Sequence, residues 1–398
     1  MDIQKLEEFK AHIESLISQQ YQRIEKMKQE KDFIDYSKID QIVIGIAGGD
    51  GIGPAITAHA EKVLRILLKE EEQNGKVSYK IIKGLTLENR INSGKAIPDD
   101  VLAELKKCHV ILKGPTTTPR AGDVSNIESA NVAMRKELDL FANVRPVKVP
   151  QEGIDWIFYR ENTEGAYALG SKGYHFDDDL CIDFTVATKE GSERIIKAAF
   201  DYAKKSGKNK VSVITKANVI KTTDGKFLQT AKQVAKDYPE VEWDDWYVDI
   251  LAAKLIDKKR RTQFKVIVLP NLYGDIITDE AAEFQGGVGT AGSANIGKSY
   301  AMFEAIHGSA PRMVEEGRVI YADPCSILRA VVMMLEHIGY QDKAILLQQA
   351  LDICMIYEKK AVITGRDDGC TSDEFLEYLL NTLKDDNIQQ KYQSFASK

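Results

Sequence analysis

Residues 265–281, KVIVLPNLYGDIITDEA, constrain this chain more than any other stretch. The opening run, 265–269, is short, apolar and rich in β-branched side chains, which is the pattern of a buried strand. Pro270 and Asn271 break it, and Tyr273-Gly274 turns the chain into a new segment. There Asp275 and Asp279 stand one helical turn apart, so a helix would project both carboxylates from one face. Two like charges at that spacing repel unless something positive sits between them. Nearby sequence offers no Arg or Lys partner on that face, so a divalent cation is the economical answer, and hard oxygen ligands favour Mg²⁺ or Mn²⁺ over zinc. Two solvated helix carboxylates are the bland alternative. The position just after a strand, where open α/β sheets put their ligands, favours the cation.

A chain of 398 residues can bury a large core and is expected to form two domains. Its net charge of −6 gives no basic footprint for nucleic acid, so no nucleic-acid partner is expected. No apolar stretch approaches membrane-spanning length and the N-terminus lacks the apolar core of a signal peptide, so no membrane association and a cytoplasmic location are expected. The cysteines (Cys108, Cys181, Cys325, Cys354, Cys370) are scattered and form no CxxC pair, against a disulfide framework or zinc site.

Along the chain, Leu6, Phe9, Ile13, Leu16, Tyr21, Ile24 and Met27 recur at helical spacing, predicting an amphipathic helix packed on the domain or on a partner subunit. Residues 41–47 read as the first core strand. The turn GGDGIGP at 48–54 follows and does not match the dinucleotide GxGxxG pattern; Pro54 starts a helix to about residue 70. Residues 109–113 make another strand, ending in Gly114-Pro115 and the run Thr116 to Thr118, whose hydroxyls suit a ribose or carboxylate, or simply a turn. Arg135, Arg145 and Arg160 fall close together among polar residues. Three guanidiniums suit a substrate with several carboxylates, each held through paired hydrogen bonds. Residues 168–190 look like a small β arm, and Lys216-Ala217-Asn218 again lies just past a strand (Lys210–Thr215). Residues 286–297, GGVGTAGSANIG, read as a flexible loop, His307-Gly308-Ser309-Ala310-Pro311 closes the motif-rich region, and the last part is mainly helical.

Taken in order, GDGIGP, KGPTTTP, RENTEGAYA, TKANVIK, NLYGDIITDEAA, GGVGTAGSANIG and HGSAP resemble the β-decarboxylating dehydrogenases that act on isocitrate, isopropylmalate, homoisocitrate and tartrate. The likeness covers about 41–384. It implies an α/β, isocitrate/isopropylmalate dehydrogenase-like fold: a mixed sheet with helices on both faces, in two domains plus a small clasp. The implied boundaries are an N-terminal extension (1–40), a large domain (41–140 and 286–398), a small domain (141–164 and 189–285) and a dimerisation arm (165–188). It further implies a homodimer with shared active sites. Asp275 and Asp279, with Asp249 from the neighbouring subunit, would hold Mg²⁺ or Mn²⁺. Arg135, Arg145 and Arg160 would clamp the carboxylates of a small tricarboxylate, with Asn218 nearby. Lys216, acting across the interface, and Tyr167 would be the acid–base pair.

Family members acting on isocitrate carry a serine, an asparagine and an arginine spaced as Ser129, Asn131 and Arg135 are here. That polar pair can hydrogen-bond a γ-carboxylate and would be left unpaired by an isopropyl group. The loop before Ser129 looks about three residues longer than usual. Isocitrate is therefore the expected substrate, ahead of the related 3-substituted malates. For the nucleotide, the resemblance implies Thr117, Thr118, His307, Gly308, Ser309, Ala310, Arg312 and Asp323. Arg312 stands where NAD-specific members carry an aspartate, which leans toward NADP over NAD, while Met313 and the lack of a tyrosine/arginine pair near 362–371 pull against it. A non-catalytic regulatory subunit would lack metal or acid–base residues, and all are present.

Overall fold

The computed structural model describes residues 3–29, 32–119 and 127–396. The strands are, in chain order, β1 (Ile42–Ala47), β2 (Val77–Ile82), β3 (Val110–Lys113), β4 (Ala142–Val149), β5 (Ile154–Glu161), β6 (Tyr174–His175), β7 (Cys181–Ile182), β8 (Lys210–Thr215), β9 (Glu242–Tyr247), β10 (Val266–Leu269), β11 (Gly292–Ile296) and β12 (Ala301–Ala305). The chain divides into two compact units, Met1–Phe33 with Asp139–Ala281, and Ile34–Leu138 with Ala282–Lys398.

In the first unit the strands lie in the order β4-β5-β10-β8-β9. β5, β10, β8 and β9 run parallel, and β4 is antiparallel to β5. β10 is buried along its whole length, as the continuous apolar run requires in a sheet covered on both faces. Its register sets the site: Leu269 lies beside Arg160, and Thr215 at the end of β8 lies beside Tyr247 at the end of β9. Arg160, Asn271, Lys216 and Asp249 therefore all emerge near the C-terminal ends of parallel strands. The arm is a small antiparallel pair, β6 with β7, and a bridge between Gly165 and Val186 closes its base.

The second unit orders its strands β2-β1-β3-β12-β11, with only β11 antiparallel to its neighbour. Both units are thus α/β with mixed strand directions. One expectation is corrected here: the glycine-rich stretch 286–297 is not a loop throughout, because it contains β11, paired with β12. Its small residues are what β11 needs, since a side chain on Gly292 would meet the backbone nitrogen of Ala330 at 2.5 Å. Among the described residues no helix is long and apolar enough to cross a membrane.

Candidate active site

The helix Asn271–Glu283 begins directly after Pro270, earlier than the turn at Tyr273-Gly274 suggested. It presents Asp275 and Asp279 on one face, and both carboxylates already have cationic partners. Arg145 Nη1 donates to Asp279 Oδ1 at 2.8 Å and to Thr278 Oγ1 at 2.6 Å. The Arg160 guanidinium donates to Asp275 Oδ1, and Arg145 approaches the same oxygen at 3.9 Å. Tyr167 Oη donates to Asp275 Oδ2 at 2.9 Å. Nearby sequence does lack an Arg or Lys partner, but the fold supplies two arginines, so the pair's repulsion alone no longer calls for a cation. The partners come from β4 and β5, distant in sequence and adjacent in the sheet.

Residues that sequence reasoning passed over hold this group together. Asn271, buried at the start of the helix, accepts from Arg160 Nε through its carbonyl (2.9 Å) and from Nη2 through Oδ1 (2.8 Å). Gly274 leaves room for Arg160 to pass, because a Cβ there would lie 2.4 Å from Arg160 Cγ. The available signal was the NLYGD run itself, with its glycine one turn into a helix.

Lys216 and Asp249 form a second group. Lys216 Nζ lies 2.5 Å from Asp249 Oδ1, and the bond from this ammonium lowers the Asp249 carboxyl below its ordinary range. The Lys216 N–H donates to Asp224 Oδ2 at 2.6 Å, which fixes the turn after β8; Asn218 is exposed. Among the described residues no three His, Cys, Asp or Glu side chains gather as a metal-holding group, so Asp249 does not join Asp275 and Asp279 within one chain. A single chain thus offers two hard carboxylates, and water and substrate oxygens fill the rest of the octahedron in Mg²⁺ sites of that kind.

In the second unit, Ser129 precedes the helix Ala130–Glu137 and makes no capping bond to it, while Asn131 Oδ1 accepts from Thr116 Oγ1 at 3.1 Å. Arg135 is buried, 3.6 Å from Glu304, and Glu304 also receives Lys113 at 3.0 Å and Asn295 at 2.7 Å. Burial works against charge on Glu304, but Lys113 and Arg135 outweigh it and hold the carboxyl down at about 2. The lengthened stretch before Ser129 falls largely on 120–126, outside the described residues.

The expected nucleotide residues meet the glycine-rich turn. Thr117 Oγ1 and Ser309 Oγ are 2.6 Å apart, and Asp50 accepts from the N–H groups of Thr117 (2.8 Å) and Leu87 (2.7 Å). A Cβ on Gly51 would sit 1.9 Å from the Ser309 carbonyl, so the glycine lets two loops touch. Asp50 was not singled out by sequence, although it is the knot of this region. Ala310 is held in the left-handed region at φ 46°, a strain typical of ligand-binding turns. His307 Nε2 is buried with no hydrogen-bond partner among the described residues, the kind of group a polar ligand would satisfy. Thr118 and Gly308 lie in these same loops. Arg312 is exposed and paired with Glu316 at 2.8 Å, and Asp323 accepts from the Cys325 N–H at 2.8 Å.

These arrangements can be set beside known proteins. A homoisocitrate dehydrogenase from Methanocaldococcus jannaschii is 36% identical over 354 residues, spanning 84% of this chain and 97% of that protein. An NADP isocitrate dehydrogenase from Rickettsia prowazekii is 40% identical over 314 residues, covering 77% of this chain and 62% of the longer relative. The crystal structure of isocitrate dehydrogenase from Methylococcus capsulatus superposes with a TM-score of 0.75 at 33% identity, over 86% of this chain and 100% of that one. A family profile described as isocitrate/isopropylmalate dehydrogenase matches residues 43–372, and with two arginines and a tyrosine gathered on a helical carboxylate pair at the strand ends, the chain belongs to that family.

Proposed function

We propose that this chain catalyses the oxidative decarboxylation of isocitrate to 2-oxoglutarate and CO₂, with reduction of NAD(P)⁺, as a homodimer with shared active sites. The observation that carries the reaction class is the convergence of Arg145, Arg160 and Tyr167 on Asp275 and Asp279. Two guanidiniums and two carboxylates balance in charge, so the group can accept a divalent cation and substrate carboxylates together. Asp275 and Asp279, with Asp249 of a second copy, would hold Mg²⁺ or Mn²⁺. When bound, that ion supplies a Lewis acid that lowers the pKa of the substrate hydroxyl and stabilises negative charge on oxygen.

Arg145 and Arg160 bind and orient the carboxylates, Arg135 with Ser129 and Asn131 receives the γ-carboxylate, and Asn218 adds a polar contact. Lys216 of the second copy, having given its own proton to solvent, takes the hydroxyl proton as hydride passes to the nicotinamide. The bond from C3 to its carboxylate then breaks, its electron pair stays on the carbon side, and Tyr167 returns a proton to C3. Exposed apolar side chains support a second copy near the site: Leu272 and Ile276 share a helical face with Asp279, and Val219 and Ile250 flank Lys216 and Asp249 in sequence.

Homoisocitrate is the second reading, favoured by the match to the Methanocaldococcus jannaschii homoisocitrate dehydrogenase over 97% of its length. NADP is preferred over NAD on the charge of Arg312, although Glu316 competes for it. His307, Gly308, Ser309, Ala310, Thr117, Thr118 and Asp323 would line the nucleotide. The test follows reduced-nicotinamide absorbance with Mn²⁺, crossing isocitrate, homoisocitrate and isopropylmalate with NAD⁺ and NADP⁺. Isocitrate with NADP⁺ is expected to turn over fastest. Preference for homoisocitrate would move the substrate and keep the chemistry, and silence with all three would sink the enzyme reading.

A further inference from the structure

The N-terminal helix Ile3–Lys28 lies outside the family match, which begins at residue 43. It is amphipathic as expected, with Leu16 and Met27 buried, though Tyr21 faces solvent. Its first half is pinned to the arm. The Phe9 ring lies 4.8 Å from Phe176 and 5.1 Å from Tyr174, His12 Nε2 lies 2.7 Å from the Lys172 carbonyl, and Tyr174 Oη donates to the Lys5 carbonyl at 3.2 Å. Its second half delivers Arg23 to Thr163 and Glu164, the residues just ahead of the Tyr167 turn in sequence. Arg23 Nη1 donates to Glu164 Oε1 at 2.8 Å and Nη2 to Thr163 Oγ1 at 2.9 Å.

Glu164 is a buried carboxylate whose neighbourhood leads to the site. Its backbone carbonyl accepts from Asn271 Nδ2 at 3.0 Å, and Asn271 is the residue that holds Arg160. Its side chain also receives Thr188, by N–H at 2.8 Å and by hydroxyl at 2.5 Å. Its N–H donates to a second buried acid, Glu161, at 2.6 Å. Burial first, and then the charge of Glu164, push the Glu161 carboxyl up, while Arg23 pulls it down. Arg23 is bonded directly to Glu164, so removing it would leave that buried carboxylate without this cation.

We infer that Arg23, carried on the N-terminal helix, is a positioning residue for the substrate arginine Arg160, acting through Glu164 and Asn271. This rests on the proposal that Arg160 binds a substrate carboxylate. The test compares full-length wild type, Arg23→Met, Arg23→Lys, Arg160→Lys and the Arg23→Met/Arg160→Lys double variant. The measurements are KM and kcat for the better tricarboxylate with Mn²⁺, its calorimetric dissociation constant, and KM for the nucleotide.

Arg23→Met is expected to weaken tricarboxylate binding about tenfold with nucleotide KM unchanged, Arg23→Lys to recover most of that loss, and the double variant to be no weaker than Arg160→Lys alone. Additive losses in the double variant, or an equal loss for the nucleotide, would make the helix a mere stabiliser and overturn the inference. So would Arg23→Met at wild-type affinity while Arg160→Lys is impaired, and that pattern leaves the substrate-site proposal standing. Arg160→Lys at wild-type affinity would remove both together.

Discussion

In the first unit Arg145 and Arg160 meet Asp275 and Asp279, whose side chains stay 35% and 58% exposed; in the second, Lys113 and Arg135 meet Glu304, which is 6% exposed. Both clusters set basic side chains against carboxylates, and the consequences differ. Exposed carboxylates remain wet and can exchange a guanidinium for a cation or a substrate group at small cost. Glu304 has exchanged water for Lys113, Arg135 and Asn295, so losing its carboxylate leaves two buried cations without a counter-charge. Arg135 thus serves two masters: it is held by Glu304, and with Lys113 beside it the cluster keeps a surplus of positive charge toward an anion.

The sharpest way to break this contrast is to remove one acid from each cluster. Asp279→Asn should lower turnover on the order of 10³-fold while changing unfolding free energy by no more than about 1 kcal/mol. Mixing it with inactive Lys216→Met subunits, after verified subunit exchange, should restore about a quarter of wild-type activity, because random pairing gives half mixed dimers, each with one intact site. No recovery would mean that Lys216 and Asp279 serve the same chain's site. Glu304→Gln should instead act on stability, costing about 3–5 kcal/mol in a denaturant titration. A loss below about 1 kcal/mol would show that the buried cluster is as exchangeable as the exposed one.

A smaller effect separates burial from ion pairing. His337 packs its ring 5.0 Å from Tyr36 and 5.5 Å from Phe303, and burial depresses its pKa to about 4. The unfolded chain protonates this ring first, so its contribution is intact above the ordinary value of 6.5 and is lost progressively as pH falls toward about 4. The loss amounts to up to about 3 kcal/mol. His337→Phe should flatten that part of the stability profile relative to wild type; parallel profiles would put the acid sensitivity elsewhere. Glu304 acts only below this window: with its carboxyl depressed, its stabilisation is full above the ordinary carboxylate range and disappears as pH falls through about 2.

Much of the scaffold was legible from local pattern. The run 265–269 announced β10, the expected strand Lys210–Thr215 matched β8 residue for residue, and the one-turn spacing of Asp275 and Asp279 put both on one helical face. Three things were not. The partners of that carboxylate pair lie on β4 and β5, more than a hundred residues away along the chain, so no search of neighbouring sequence could find them. β11 hid in a glycine- and alanine-rich stretch, because small residues signal flexibility locally and close backbone packing only when Ala330 is opposite them. Asp50 read as one letter of a glycine turn, and its role as acceptor for Thr117 and Leu87 depends on loops that meet only in the fold.

The order of motifs by itself determined which family this chain joins and which residue types bear on the chemistry, since periodicity and spacing are properties of neighbours along the chain. Tertiary structure alone decided which charges are paired, which are buried, and that the N-terminal helix brings Arg23 to Glu164 beside the Tyr167 turn. The physical reason is that a carboxylate's pKa, its exposure and its partner are set by what surrounds it in space, and parallel strands gather those surroundings from segments the sequence keeps far apart.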